Sequence, residues 1–283
     1  MLTITEYAHA KINLTLSVLG RRADGYHDLD TVMHSISLSD TVELTPADAI
    51  SLTVDGRAPA GPDNLMWRAA ALFFQMTGKK GGVAMRLVKR IPSEAGMGGG
   101  SADAAAVLRG LNRMTGAGLS ADILCRMGAS LGADIPFCVA GGAARCSGIG
   151  DVLAPLPPWP GLALLIVRPG VSVSTGQAYR EIDRLKGQRK QTSKAAEQAL
   201  RTRNGQQLAA ALANDFEDAL FRISPILRET KRELAASGRP TLMTGSGSAF
   251  FVMVEGEERE QLKHRLSAAH PEWFVENAEL VSE

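Results

Sequence analysis

The chain has 283 residues, and its 31 Lys and Arg side chains nearly balance its 30 Asp and Glu side chains, giving a formal net charge of +1. This length can bury one large core or two ordinary ones, whereas the balanced charge provides no global field for nucleic acid or an anionic membrane. The three cysteines lack Cys-x-x-Cys spacing and the sequence carries no signal-peptide pattern, so we expect a cytoplasmic protein without disulfides or structural zinc.

The first predicted element is a strand at 10–19, where apolar and polar side chains alternate in the manner of a half-buried strand. Lys11 and Asn13 share the polar face of this strand. They are either ordinary solvent-facing residues or functional residues. A polar turn follows. Its Tyr26 and His27 either pack over the sheet edge or stack on and hydrogen-bond a nucleobase. Further strands are predicted at 31–38, 41–44 and 50–54.

A glycine-rich stretch follows a strand predicted at 83–87. Its four glycines lie within 96–100, and Ser101 stands where the N-cap of the next helix is expected. Glycine amides can approach an anion closely, and the positive end of a helix favours one, so this stretch predicts a phosphate-binding loop rather than a flexible turn. Neither the P-loop pattern nor the dinucleotide fingerprint is present. Upstream, Asn64 is predicted to cap a helix.

Asp134 lies between a helix-ending glycine and the apolar sequence Ile-Pro-Phe. These neighbours should draw the side chain inward, and a buried carboxylate needs a partner. Asp134 therefore either accepts hydrogen bonds from nearby backbone amides or serves as a base or cation-binding carboxylate near the phosphate loop.

The proline-rich segment 155–161 is the best linker candidate, and it predicts two domains, 1–158 and 159–283. The apolar run 162–167 is too short to span a bilayer and is predicted to be a buried strand. The basic segment 186–194 is predicted to be a solvated loop rather than a nucleic-acid site.

Near the C-terminus, a Gly/Ser turn joins two strands within 241–251. It is either a tight hairpin or a place where a phosphate or the first glycine loop comes close. Helices are predicted at 177–185, 195–212, 216–221, 225–236 and 257–269, and a last strand at 273–280.

Three separated segments resemble the signature motifs of the GHMP small-molecule kinases. They are 8–14, the glycine loop 92–101 and 243–249. This resemblance implies an α+β, two-domain GHMP kinase fold. The N-terminal domain would be like domain 2 of ribosomal protein S5, the C-terminal domain would be a ferredoxin-like α/β domain, and the substrate would lie in the cleft between them.

Further segments resemble the branch of the family that acts on cytidine-diphosphate methylerythritol. They are 25–27, 63–65, 132–137 and 169–175. The resemblance implies phosphoryl transfer from ATP, with Mg²⁺, to the 2-hydroxyl of that small molecule on a route to isoprenoid precursors. The alternatives are another substrate of the family, such as mevalonate, homoserine or a sugar, and a catalytically silent nucleotide-binding member. We expect no nucleic-acid or membrane partner, and a monomer or weak homodimer.

The resemblance also implies the site residues. Asp134 corresponds to the catalytic base, and Lys11 to the residue beside it that stabilises developing charge. The predicted ATP contacts are Asn64 and Leu65 on the adenine side and the loop residues Pro92, Ser93, Glu94, Ala95, Gly96, Met97, Gly98, Gly99, Gly100, Ser101 and Ala102. The predicted substrate contacts are Asn13, Tyr26, His27, Thr175, Tyr179 and Gly245. No set of metal-ligating residues is predicted.

Overall fold

The computed structural model describes residues 3–185 and 191–283. The strands are β1 (Ile4–Arg21), β2 (His27–Ala47), β3 (Ser51–Asp55), β4 (Gly82–Val88), β5 (Ala143–Ser147), β6 (Val152–Leu156), β7 (Ala163–Arg168), β8 (Ala213–Asn214), β9 (Thr241–Met243), β10 (Phe250–Met253) and β11 (Phe274–Glu279). The helices are α1 (Leu65–Thr77), α2 (Gly99–Thr115), α3 (Ala121–Ala129), α4 (Ile135–Ala140), α5 (Thr175–Arg184), α6 (Ser193–Thr202), α7 (Gly205–Ala211), α8 (Asp215–Ile223), α9 (Pro225–Ala235) and α10 (Gly256–Ala269). Of the predicted basic loop 186–194, residues 186–190 lie outside the described residues.

The larger sheet has seven strands, with β3, β4, β2, β1 and β8 side by side and with β5 and β6 attached through β2. Its centre is the long antiparallel pair of β1 and β2. The strands predicted at 31–38 and 41–44 are one continuous strand, β2, because β1 pairs along nearly its whole length, with irregularities in register.

Residues 10–18 of β1 are buried on both faces, so the prediction of a half-buried strand at 10–19 was wrong. Helices α1 to α4 cover one face of the larger sheet, and the other face packs against α6, α7 and the smaller sheet. Lys11, Asn13 and Thr15 are consequently at most 4% exposed. Polar residues in such a place need internal partners, and the partners described below lie at the candidate site.

The smaller sheet is antiparallel and has the order β11, β7, β10, β9. When these four strands are numbered along the chain from β7, their order across the sheet is 4-1-3-2. This is the ferredoxin-like arrangement that the family resemblance implied. Helices α5, α8, α9 and α10 pack on its far side around Val167, Phe250 and Val252.

The two sheets meet where the residue directly after β11 reaches β2. Leu280, whose amide donates to the Leu162 carbonyl at 3.0 Å, forms an antiparallel bridge with Ile36. β8 pairs in parallel with β1 at Thr15 and Leu16 and so belongs to the larger sheet. The chain passes from the larger sheet to the smaller between β6 and β7, near the predicted boundary, while β8 returns to the larger sheet. The division at 158/159 stays a prediction.

Within the described ranges, no helix combines the length and apolar character that a membrane crossing requires.

Candidate active site

A cavity of about 930 Å³ lies where the glycine loop, the middle of β1, the turn before β2 and the N-terminus of α5 meet. Every site residue predicted from the sequence lines it except Ala102. Ala102 is 1% exposed and packs in the core between α2 and the larger sheet. Segments far apart in the sequence therefore converge on one space large enough for a nucleotide and a small alcohol.

The glycine loop leads into α2 three residues earlier than predicted. Gly98, in the left-handed conformation at φ 68°, is the N-cap, so Ser101 does not cap the helix. The amide of Ala102 makes the first helical hydrogen bond, to the Gly98 carbonyl at 2.8 Å. The three amides before it have no partner four residues back and lie at the positive end of a 17-residue helix, which suits an anion.

The glycine loop packs directly against the Gly/Ser turn that follows β9. A Cβ on Gly96 would lie 2.2 Å from the carbonyl oxygen of Thr244, and one on Gly245 would lie 2.5 Å from that of Gly96. Both glycines have positive φ. The Gly/Ser turn joins β9 and β10 as an antiparallel hairpin, and it also comes close to the first glycine loop, so both possibilities hold.

Lys11 and Asp134 meet beside the glycine loop. The Lys11 Nζ lies 3.6 Å from Oδ2 of Asp134 and donates to Oδ1 of Asn13 at 2.8 Å. A Cβ on Gly98 would lie 3.2 Å from Lys11 Cγ and 3.8 Å from the Asp134 carboxylate. The Lys11 amide also donates to the Met97 carbonyl at 3.0 Å, so β1 holds the loop next to the ammonium.

Asp134 stands at the N-cap position of α4, but its side chain makes no capping hydrogen bond. The first reading of this residue, in which it satisfies nearby backbone amides, therefore does not hold. The carboxylate is 35% exposed, whereas the Lys11 side chain is 5% exposed. A substrate in the cavity can reach the carboxylate, while the ammonium approaches from the protein side.

An aromatic cluster lies at the other end of the cavity. The His27 ring stacks on Tyr179, with centroids 4.6 Å apart, and Tyr179 meets Phe216 edge-on at 5.0 Å. His27 Nε2 is 2.7 Å from an Asp183 carboxylate oxygen. Burial, with the nearby charge of Asp134, raises the pKa of Tyr179 to about 12. Because the two stacked rings are already in contact, a base has no room between His27 and Tyr179, whereas Tyr26 is 60% exposed.

Two further predicted contacts already have protein partners. Asn64 caps α1, as predicted: its Oδ1 accepts from the Met66 amide at 2.8 Å and its Nδ2 donates to the Pro59 carbonyl at 2.7 Å. The Thr175 hydroxyl lies 3.2 Å from that of Ser246, joining α5 to the Gly/Ser turn.

An ion cluster that was not expected from the sequence lies behind the glycine loop. Lys89 on β4 pairs with Asp40 of β2 and with Asp103 of α2, the latter at 2.9 Å. Burial, reinforced by the charge of Asp40, raises the pKa of Asp103 to about 8, and Lys89 opposes this. Burial acts to lower the pKa of Lys89, but the two aspartates outweigh it and the pKa is raised. The available signal was Asp103 itself, a charged residue in an alanine-rich segment.

The geometry thus combines a loop of free amides, an ammonium and a reachable carboxylate in one cavity. Among the residues that the structure describes, no group of three or more His, Cys, Asp or Glu side chains could hold a metal ion. The arrangement is suited to binding a polyphosphate and accepting a proton from a neighbouring alcohol.

Comparisons with known proteins agree with this geometry. The family model for the GHMP kinases N terminal domain matches residues 64–142, and that for the GHMP kinases C terminal region matches 196–272. A 4-diphosphocytidyl-2-C-methyl-D-erythritol kinase of Moorella thermoacetica is 43% identical over 96% of this chain and 98% of its own. The enzyme of the same name from Paramagnetospirillum magneticum is 39% identical over 97% and 98%.

Solved structures give the same result. A crystal structure titled 4-(cytidine 5'-diphospho)-2C-methyl-D-erythritol kinase aligns with a TM-score of 0.81 and 35% identity, covering 98% of this chain and 99% of that one. The homoserine kinase of Cytophaga hutchinsonii aligns with a TM-score of 0.79 at 18% identity, over 99% and 96% of the two chains, which is a likeness of fold alone. On both family models and on relatives that match nearly its whole length, the chain belongs to the GHMP kinases.

Proposed function

We propose that this chain is an ATP-dependent kinase that phosphorylates the 2-hydroxyl of 4-diphosphocytidyl-2-C-methyl-D-erythritol, a step on the methylerythritol phosphate route to isoprenoid precursors. The observation that carries the proposal is the meeting of the Lys11 ammonium and the Asp134 carboxylate, 3.6 Å apart, at the glycine loop. The full-length relatives that bear this enzyme's name support the choice of substrate.

The proton of the alcohol is the first chemical problem. An alcohol holds its proton at neutral pH, so a base within hydrogen-bond reach is needed as the new P–O bond forms. Asp134 has the partly exposed carboxylate for this role. Lys11 stands beside it, where its charge stabilises the attacking oxygen or the transferring phosphoryl group.

ATP supplies the phosphoryl group. The amides of Gly99, Gly100 and Ser101, at the start of α2, are free to hold its phosphates, and Gly98 keeps the approach open for lack of a side chain. Mg²⁺ enters the proposal as part of the Mg-ATP substrate. Magnesium usually keeps several waters and binds through phosphates with one or two carboxylates, which is compatible with described residues that form no metal cage of their own.

The cytidyl group would bind at the aromatic end of the cavity. Tyr26 offers an exposed ring face, and every base has a flat face that can stack on such a ring. His27 is fixed by its stacking on Tyr179 and by Asp183, so its role would be to shape the pocket and bond to the edge of the base. Thr175 and Gly245, at the rim, would contact the substrate nearby.

Other members of the fold act on smaller alcohols, such as homoserine and mevalonate. Solved structures with those names are only 18% and 15% identical to this chain, and their alcohols have no base for Tyr26 to stack on. A catalytically silent member would not need to keep a lysine and a carboxylate together at the loop. We also infer a cytoplasmic protein that acts as a monomer or weak homodimer and binds no nucleic acid.

The test is ADP release by the purified chain with four alcohols: the diphosphocytidyl compound, mevalonate, homoserine and galactose. We expect turnover with the first to exceed that with the others by at least about 100-fold, with the new phosphate on C2 by ³¹P NMR. The Asp134→Asn variant controls for contaminating kinases. Faster turnover of another alcohol, or ADP release without any alcohol, would overturn the proposal.

A further inference from the structure

The side-chain amide of Asn13 has to face one particular way. Its Oδ1 accepts from the Lys11 ammonium at 2.8 Å, and its Nδ2 donates to the Thr31 hydroxyl at 2.8 Å. Asn13 is 1% exposed and Thr31 is fully buried. A flipped amide would turn its NH₂ group toward the ammonium and set donor against donor. The hold on Lys11 therefore depends on what fixes this amide.

Thr31 fixes it through the direction of its own hydrogen bond. Its hydroxyl donates to the backbone carbonyl of Thr15, and a carbonyl can only accept. A hydroxyl has one proton, so once that proton is committed, the oxygen can only accept from Asn13. The Nδ2 group must then face Thr31, and Oδ1 is left for Lys11.

Thr244, in the turn after β9, favours the same orientation from the opposite side. Its Oγ1 accepts from the Asn13 backbone amide at 2.9 Å and lies 3.5 Å from Asn13 Oδ1, toward which its proton can point. The amide oxygen thus faces two donors, Lys11 and Thr244, while the amide nitrogen faces an acceptor.

We propose that Thr31 is a positioning residue for phosphoryl transfer: its hydroxyl orients the Asn13 amide, which holds the Lys11 ammonium beside Asp134. The inference deepens the proposed function and rests on it. Thr31 lies outside the lining of the cavity, so it acts through Asn13 and Lys11 rather than on the substrate.

Two substitutions separate this role from packing. Thr31→Val keeps the shape and removes the hydroxyl, whereas Thr31→Ser keeps the hydroxyl and removes the methyl group. We expect kcat of Thr31→Val to fall about 10- to 100-fold with both KM values nearly unchanged, because a reacting group displaced by about 1 Å costs that much. Thr31→Ser should keep kcat close to wild type. Full kcat in Thr31→Val, or a larger loss in Thr31→Ser, would overturn the inference.

A double substitution tests the route. If Thr31 acts through the Asn13 amide, Thr31→Val adds no further loss of kcat in an Asn13→Ala background, since coupled sites are not additive. If the two losses of kcat multiply in the double variant, Thr31 does not act through the Asn13 amide.

A measurement without substrate separates this inference from the proposed function. In ¹H–¹⁵N spectra of the full chain, the Asn13 side-chain amide protons should exchange slowly in wild type and in Thr31→Ser, and rapidly in Thr31→Val. If the wild-type chain does not phosphorylate the diphosphocytidyl alcohol, the proposed function fails. These spectra still show whether Thr31 orients the Asn13 amide. Equal protection in Thr31→Val would refute the positioning role of Thr31.

Discussion

The Lys11 ammonium is buried, and a buried charge is tolerated only with polar partners. Asn13 and Asp134 supply them at 2.8 and 3.6 Å. The apolar neighbours of Asp134 were enough to single it out, whereas the strand pattern left Lys11 and Asn13 open and only the family resemblance implied their roles. The sequence could not reveal that the Asn13 amide is already engaged or that Lys89 joins two aspartates, because these contacts depend on which strands and helices pack together.

Tyr26 should contribute binding energy for the cytidyl substrate alone. Stacking of a base on an aromatic ring is worth about 1–3 kcal/mol, so Tyr26→Ala should raise KM for the diphosphocytidyl alcohol about 10- to 100-fold while KM for ATP stays the same. Steady-state kinetics with each substrate varied in turn measures this.

The control is Tyr7→Ala. Tyr7 is a tyrosine of similar exposure, 58% against 60% for Tyr26, on β1 outside the lining of the cavity. Tyr7→Ala should leave KM unchanged for both the diphosphocytidyl alcohol and ATP. Equal increases for the two substrates in Tyr26→Ala would remove Tyr26 from the base pocket.

At the scale of elements, the strand, glycine loop and helix were predictable in order and type. Apolar periodicity and glycine spacing depend on local geometry, and local geometry is what sequence patterns encode. The start of α2 was misplaced because Gly98 caps it by backbone conformation alone, without a capping side chain. Strand β6 was missed because Pro155, within it, made the segment resemble a linker.

Because the glycine loop contacts the Gly/Ser turn, a single added methyl group should have a large effect on stability and on ATP binding. Gly96→Ala combines the cost of a left-handed residue with a Cβ 2.2 Å from the Thr244 carbonyl oxygen. We expect the free energy of unfolding to fall by at least about 3 kcal/mol and KM for ATP to rise, because the loop must move. Denaturant unfolding and steady-state kinetics measure the two effects.

Gly116→Ala is the matched control. Gly116 is also left-handed, at φ 58°, but a Cβ there meets nothing within 4 Å. Gly116→Ala should lower the free energy of unfolding by only about 1–2 kcal/mol and leave KM for ATP unchanged. Equal destabilisation by the two substitutions would mean that the turns do not pack as described.

At the scale of the whole molecule, the cavity exists because distant segments pair. β8 joins β1, and Leu280 bridges to β2. Such pairings follow from packing across the molecule and leave no local pattern. The GHMP kinase fold was therefore expected from the resemblance of three motifs, whereas the return of β8 to the larger sheet was not expected at all.

His34 joins β2 to the segment between the two sheets and should make stability depend on pH. Its Nδ1–H donates to the Ser35 carbonyl at 2.9 Å and its Nε2 accepts from the Trp159 amide at 3.0 Å. Burial lowers the pKa of His34 from 6.5 to about 4. The unfolded chain binds this proton below about pH 6.5, while the folded chain resists it until about pH 4. Stability should fall by about 3 kcal/mol across that window as pH decreases.

Denaturant unfolding at pH 7.5 and pH 5 measures most of this loss, about 2 kcal/mol. His34→Gln, which cannot titrate, should lose less stability over the same interval, and the other histidines contribute equally to both proteins. The same pH dependence in wild type and His34→Gln would show that His34 is not the cause.

The most direct test of the central claim is turnover by Asp134→Asn with its ATP affinity measured in parallel by calorimetry. The amide keeps the shape of the carboxylate but cannot take the proton, so we predict that kcat falls about 10²- to 10⁴-fold while the Kd for ATP stays close to wild type. Asp122→Asn, on α3 and outside the cavity lining, should retain full activity. Wild-type turnover by Asp134→Asn would contradict the account.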